Sequence, residues 1–126
     1  MNFLDCRLTR GVLEGSNWSI KLPKKALKGL TSYDGCELVL GVRPEDIDAA
    51  EKKSSKQNED CTIKCTCTVV EPMGAENFLY LQVDEANTIV ARVAPDTHPG
   101  YGDAFEAWLD LNKIHLFNKK TEETIL

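Results

Sequence analysis

Leu38-Val39-Leu40-Gly41-Val42-Arg43-Pro44-Glu45-Asp46-Ile47 is the stretch on which the reading of the chain turns. Its first half alternates. Leu38, Leu40 and Val42 fall on one face of an extended strand, the pattern of a half-buried sheet. Gly41 sits within that pattern, where a missing side chain marks a bulge or a close backbone approach. Pro44 ends the strand and biases Arg43 towards an extended conformation, because the proline ring clashes with a helical residue before it. Proline also suits the first turn of a helix. With Glu45 and Asp46 at its positive end, a short acidic helical turn is predicted to follow the strand.

Outward from this junction the period of two recurs. Trp18, Ile20 and Leu22 share a face against Ser19 and Lys21, and Pro23 closes that strand. Residues 24–30 have the length of one or two helical turns, with Gly29 near their end. Tyr33-Asp34-Gly35 is a turn into the strand at 36–42. Residues 1–14 carry Phe3, Leu4, Leu8, Val12 and Leu13 with little period, so a single strand is expected near 7–13. Downstream, Cys61, Ile63, Cys65, Cys67 and Val69 alternate with four residues that are Thr or Lys, which places all five inward. The turn Glu71-Pro72-Met73-Gly74 leads to a strand with Leu79, Leu81 and Val83 on one side. Next come Ile89, Ala91 and Val93 inward with Arg92 outward, a Pro-Gly loop at 95–103, and Phe105, Ala107 and Leu109 against Glu106 and Trp108. A short apolar segment at 114–117 precedes a tail at 118–126 that reads as a last hairpin arm. Short strands with turn signals every 8–12 residues or so predict an all-β barrel or sandwich.

The 126 residues suffice for one domain with a core of its own. Residues 1–60 hold 10 basic and 10 acidic groups and residues 61–126 hold 5 and 10, so the net charge of −5 resides in the second half. That balance lacks the basic footprint that phosphates demand and argues against a nucleic-acid partner. Lys24, Lys25 and Lys28 read as a solvated face. No apolar run approaches the roughly 18 residues of a membrane span. No basic-then-apolar leader opens the chain, and a soluble, cytosolic protein is expected. Residues 49–60 are nearly without apolar groups and cannot offset their ordering entropy by burial, so an exposed, flexible surface loop is expected there.

The inventory of reactive groups is thin. Five cysteines, an odd number, do not form a disulfide framework. Strand parity makes Cys61, Cys65 and Cys67 small core hydrophobes, and the paired spacing or added histidines of a zinc site are missing. His98 lies in the Pro-Gly loop and His115 stands opposite Ile114 and Leu116 in parity; neither has a partner in the sequence that would assign it acid–base work. A hairpin could gather Glu71, Glu76, Asp84 and Glu85, which sequence alone does not decide. Trp18, Trp108, Phe78 and Tyr80 fit an oligomer interface and a barrel core equally. Phosphate-loop spacing, a G-x-S-x-G elbow and H-E-x-x-H do not occur. No catalytic, nucleotide-binding or metal-ligating residue is assigned, and the chain is not expected to act as an enzyme by itself.

Leu40-Gly41-Val42-Arg43-Pro44-Glu45-Asp46-Ile47 resembles the L-G-[IV]-R-P-E-[DH]-[IL] element in the C-terminal regulatory (TOBE/MOP-like) domain of ABC-importer ATPases, those of maltose, other-sugar and glycerol-3-phosphate importers. Val69 to Tyr80 is similar to the V-x-E-x-x-G-[AS]-E strand and turn of that family, with Glu71, Gly74, Ala75 and Glu76 at the matching places. Met1-Asn2-Phe3-Leu4, Val90-Ala91-Arg92-Val93, Gly102-Asp103 and Ile114-His115-Leu116-Phe117 follow in the family's order, so the likeness covers almost the whole chain. Two positions depart: Asn118 stands where Asp is usual, and Glu122 where Gly is usual.

The resemblance implies OB-like, MOP-like small barrels with one or two short helical turns, forming a single regulatory domain over 1–126 with the ATPase domain outside it. It implies ATP and Mg as cofactors of the parent protein and none in these residues. The partners implied are the chain's own ATPase domain, a second copy in a homodimer, the importer permease through the ATPase domain, and a regulatory protein or small ligand. The implied location is cytoplasmic, peripheral to the inner face of the membrane, and a fragment of a longer protein is expected over a stand-alone domain. Gly41, Pro44 and Gly74 are expected to shape the backbone, and Arg43 to form a partly buried ion pair with Glu71 or Glu45. The alternative is a stand-alone Mop-like module for an oxyanion or small ligand.

Overall fold

The computed structural model describes residues 1–53 and 58–126. The described residues form ten strands: β1 (Asn2–Thr9), β2 (Val12–Glu14), β3 (Ser19–Lys21), β4 (Glu37–Val42), β5 (Ile47–Ala49), β6 (Thr62–Pro72), β7 (Asn77–Gln82), β8 (Thr88–Val93), β9 (Ala104–Leu109) and β10 (His115–Asn118). They make two five-stranded sheets, in the orders β10-β4-β1-β2-β3 and β5-β9-β6-β7-β8. The first four strands build one sheet and the next five build the other. Then β10 returns to the first beside β4, so the two units are interlaced. Helical content among the described residues is short: α1 (Lys24–Leu27) and four 3₁₀ turns. The all-β architecture with short helical turns is as the sequence predicts.

Alternation explains the core. Leu4, Cys6 and Leu8 of β1, Leu38 and Leu40 of β4, Ile63, Cys65 and Cys67 of β6, and Leu79 and Leu81 of β7 are all buried in one cluster. β1 and β2 form a hairpin, correcting the single strand expected at 7–13. Thr9 pairs with Val12, and the two residues between them, Arg10 and Gly11, both have positive φ (50° and 80°). That is the backbone a tight two-residue hairpin needs. The Arg10 N–H donates to Asp34 Oδ1 at 2.8 Å, which helps to hold the non-glycine residue in place. Trp18 lies buried over Gly15, where an added Cβ would come 2.0 Å from the indole.

β6 carries a bulge between Cys67 and Val69. The extra residue reverses parity, so Val69 is 50% exposed, not inward as the plain alternation predicts. The expected loop at 49–60 is also partly corrected. Ala49 belongs to β5, and Ala50 is buried at the start of a 3₁₀ turn (Ala50–Lys52). Small side chains let the backbone stay packed there. Residues 54–57 of that loop lie outside the described residues.

Polar side chains stitch the two sheets together. Asn2 of β1 meets β8 of the other sheet with both arms of its amide: Nδ2 donates to Val90 O, and Val90 N–H donates to Oδ1, each at 2.8 Å. A strand edge is satisfied by a side chain standing in for a neighbouring backbone. At the second seam, Asn17 Nδ2 donates to Val83 O at 2.6 Å, and Ser16 Oγ donates to Asp84 Oδ2. That hydroxyl, with donors from Asn87 and Ala86, holds the Asp84 carboxyl down at about 2.

The C-terminal tail folds back on β10 as expected, with Phe117 bridging Thr124 and Ile125 N–H donating to Leu116 O at 2.8 Å. Its turn explains the two departures from the family pattern. Asn118 Oδ1 accepts from the N–H groups of Lys120 (2.9 Å) and Thr121 (3.2 Å), the role an aspartate would also fill. Glu122 takes φ 63°, a conformation that suits glycine. Left-handed backbone costs an L-residue about 1–2 kcal/mol, against the greater chain entropy that glycine loses on folding. Glu122→Gly should therefore raise the urea midpoint, with a gain of up to about 1 kcal/mol. A lower midpoint would show that the side chain stabilises the turn.

Candidate functional site

The family-motif residues occupy two places. The first is the passage from β4 to β5, which carries the chain from one sheet to the other. Gly41 is the last residue but one of β4, paired with Phe3 and His115. A Cβ there would come within 2.8 Å of Met1 Sδ and 2.9 Å of Phe117 Cε2, so this glycine makes room for side chains, where the sequence predicts a bulge or a close backbone approach. Pro44–Asp46 form the acidic helical turn, a single 3₁₀ turn. Asp46 N–H donates to Arg43 O at 3.0 Å and Ile47 N–H to Pro44 O, while Asp110 N–H donates to Asp46 O at 3.0 Å. The turn packs against β8. Asp46 is buried, with Lys113 Nζ 3.9 Å from its Oδ1.

The second place is the β6–β7 hairpin end. Glu71 and Pro72 are still within β6, and the turn falls on Met73 to Glu76, two residues later than its expected start. Met73 N–H donates to Glu76 O at 2.8 Å, and Gly74 takes φ 87°. Ala75 is exposed. Glu76 Oε2 receives Arg92 Nε of β8 at 2.6 Å. Both motif segments therefore lean on β8.

They do not form the expected ion pair. Arg43 is exposed and makes no ion pair among the described residues, and Glu71 and Glu45 are likewise exposed. The extended backbone imposed by Pro44 points Arg43 to solvent, while the buried charge of this turn is Asp46, which the sequence places in the acidic turn without marking it as buried. Glu71 and Glu76 lie at one end of β7, Asp84 and Glu85 at the other, so the four acids do not converge.

Two buried or half-buried asparagines were also missed: Asn2 at the seam, and Asn77, whose Nδ2 donates to Pro95 O (3.3 Å) and Thr97 O (3.0 Å). Their signal was there, as polar residues on the inward parity of Leu4 and of Leu79. None of the five cysteines is in a disulfide. Burial pushes the Cys6 and Cys65 thiols up to about 12 and raises those of Cys61 and Cys67, which disfavours the thiolate a metal would need. Among the described residues no three His, Cys, Asp or Glu side chains cluster as metal ligands would. His98 is exposed and His115 half-buried beside Phe117. Trp18 is in the core, whereas Trp108, Phe78 and Tyr80 are half-buried. Among the described residues no helix is long and apolar enough to cross a membrane.

The family model described as the TOBE domain matches residues 40–117, and that of the MalK OB fold domain matches residues 1–47. The chain belongs to the TOBE domain family. The two matches overlap only at 40–47, the passage between the sheets. The oligosaccharides import ATP-binding protein MsmX of Bacillus subtilis is 33% identical over 99% of the chain. The sulfoquinovosyl glycerol transport ATP-binding protein SmoE of Agrobacterium fabrum and the trehalose/maltose import ATP-binding protein MalK of Thermococcus litoralis are each 28% identical over 99% of it. This TOBE domain spans about a third of the length of these relatives (34%, 33% and 34%). Its fold is that of the cytoplasmic molybdate-binding protein ModG, solved with molybdate bound: TM-score 0.69 at 11% identity, over 91% of this chain and 94% of that one.

An exposed Arg43 without an ion pair has little to lose. Arg43→Met should change the stability of the TOBE domain by no more than about 0.5 kcal/mol in urea unfolding. A loss of several kcal/mol would restore the buried pair.

Proposed function

We propose that the chain is the regulatory and dimerisation domain of the ATP-binding subunit of an ABC importer for sugars or related solutes. One observation carries this: import and transport ATP-binding proteins match 99% of the chain while it spans only a third of their length. The remaining two thirds of such a protein would hold ATP and Mg, in keeping with a sequence that has no phosphate-loop spacing. The domain then works through contact area and not through bond chemistry. Its outer face offers such area where Met1 and Phe3, 48% and 58% exposed, gather with Phe117, whose ring lies edge-on to Phe3 at 6.0 Å. Contacts that differ between two arrangements of an ATPase dimer bias the transport cycle, as any coupling between sites requires. Its partners are its own ATPase domain, a second copy and, through the ATPase domain, the permease, at the cytoplasmic side of the membrane.

The reading frame upstream of Met1 should encode a phosphate loop, G-x-x-x-x-G-K-[ST], in frame with this chain. A stop codon and promoter there would contradict the proposal. The likeness to ModG favours a second reading, an oxyanion-binding module. Such a site needs amides and small polar groups converging on the anion. Equilibrium dialysis against molybdate separates the two: no retention is expected, and tight binding would favour the second.

A further inference from the structure

Strand β5 is short. It flanks β9 only at Ile47–Leu109, Asp48–Trp108 and Ala49–Ala107, and then leaves in the turn that starts at Ala50. β9 continues as Glu106, Phe105 and Ala104, still paired with β6 on its other side through Lys64, Cys65 and Thr66. On the side that β5 no longer covers lies a groove of about 560 Å³. Ala50, Glu51, Thr97, Pro99, Ala104 and Phe105 are among the residues that line it.

The peptide groups of β9 alternate in direction. Cys67 N–H donates to Asp103 O at 2.9 Å, so the odd-numbered residues turn towards β6 and the even-numbered ones away from it. Trp108 is thereby matched with Asp48, and Ala104 turns its N–H and C=O towards the groove. Thr97 adds a second open group: it is 6% exposed, lines the groove, and its buried hydroxyl oxygen has no partner among the described residues. Buried hydroxyls are ordinarily hydrogen-bonded.

The rim is acidic. Glu51, Asp96, Asp103 and Glu106 stand around the groove with His98. Lys52 pairs with Asp96 at 2.6 Å, and Asp103 accepts the Gly100 N–H at 2.8 Å. The carboxylates of Glu51 and Glu106 have no ion-pair partner among the described residues.

We propose that this groove takes an extended peptide segment of a partner protein, rich in lysine or arginine, which continues the line of β5 as a short added strand beside Ala104 and Phe105. Backbone pairing with Ala104 gives the register, small apolar side chains face Phe105, and basic ones meet Glu51 and Glu106. The inference is independent of the transport reading, since it rests on the strand edge, the open hydroxyl and the rim.

The test is amide-shift mapping of the 126-residue chain with three capped six-residue probes: alternating lysine and valine, alternating glutamate and valine, and the lysine probe N-methylated on every valine. The lysine probe should shift the amides of Glu51, Thr97 and Ala104 together and bind about fivefold or more weakly in Glu51→Gln/Glu106→Gln or in half-molar salt. The glutamate and N-methylated probes should not bind. Equal binding of the glutamate probe, undiminished binding of the N-methylated probe, shifts centred elsewhere, or no binding of the lysine probe at millimolar concentration would each overturn the proposal.

Discussion

The constraint on which this structure depends is that one chain must pass from the first sheet to the second without leaving peptide groups unpaired in the interior. β4 lies between β1 and β10, with Leu38, Leu40 and Val42 fully buried. Two residues beyond Val42, a single proline-started turn delivers the chain to β5 in the other sheet. Three backbone hydrogen bonds hold the passage: Asp46 to Arg43, Ile47 to Pro44, and Asp110 back to Asp46. An unpaired buried peptide group would cost about as much as a lost hydrogen bond, of order 1–3 kcal/mol. The Gly-x-Arg-Pro-Glu-Asp element is thus a joint. Its sequence records backbone requirements more than side-chain chemistry.

Around this joint the two sheets are held by burial and by a few polar stitches. Asn2 satisfies the edge of β8 with both arms of its amide, and Asn17 with Ser16 fastens the β2–β3 turn to the β7–β8 turn. The return of β10 to the first sheet closes the arrangement, so the first unit is complete only with the far end of the chain.

Much of the fold was legible in the sequence because most strands are buried on one face, so their side chains alternate visibly; β3, β4 and β7 to β9 follow this rule. What escaped detection has physical causes. The β1–β2 hairpin was obscured because Arg10 occupies a positive-φ turn position where asparagine or glycine is the usual signal. Val69 was misplaced because a bulge shifts parity without leaving a mark in composition. Arg43 was given a buried partner because two acids were near in sequence or motif, but nearness along the chain does not fix which way an extended residue points. Asn2 and Asn77 stand on the inward parity of apolar strands, where alternation alone predicts apolar residues, and Asp46 lies in a turn whose burial the local sequence does not mark.

If the passage at 43–47 is the joint of the domain, it cannot open unless the domain unfolds. Native-state hydrogen exchange reads this directly. The amides of Asp46, Ile47 and Asp110 should exchange with the same free energy as that of Leu40 in the centre of β4, and their dependence on denaturant should match that of global unfolding. Exchange of these three amides through a low-energy local opening, with Leu40 still protected, would contradict the account.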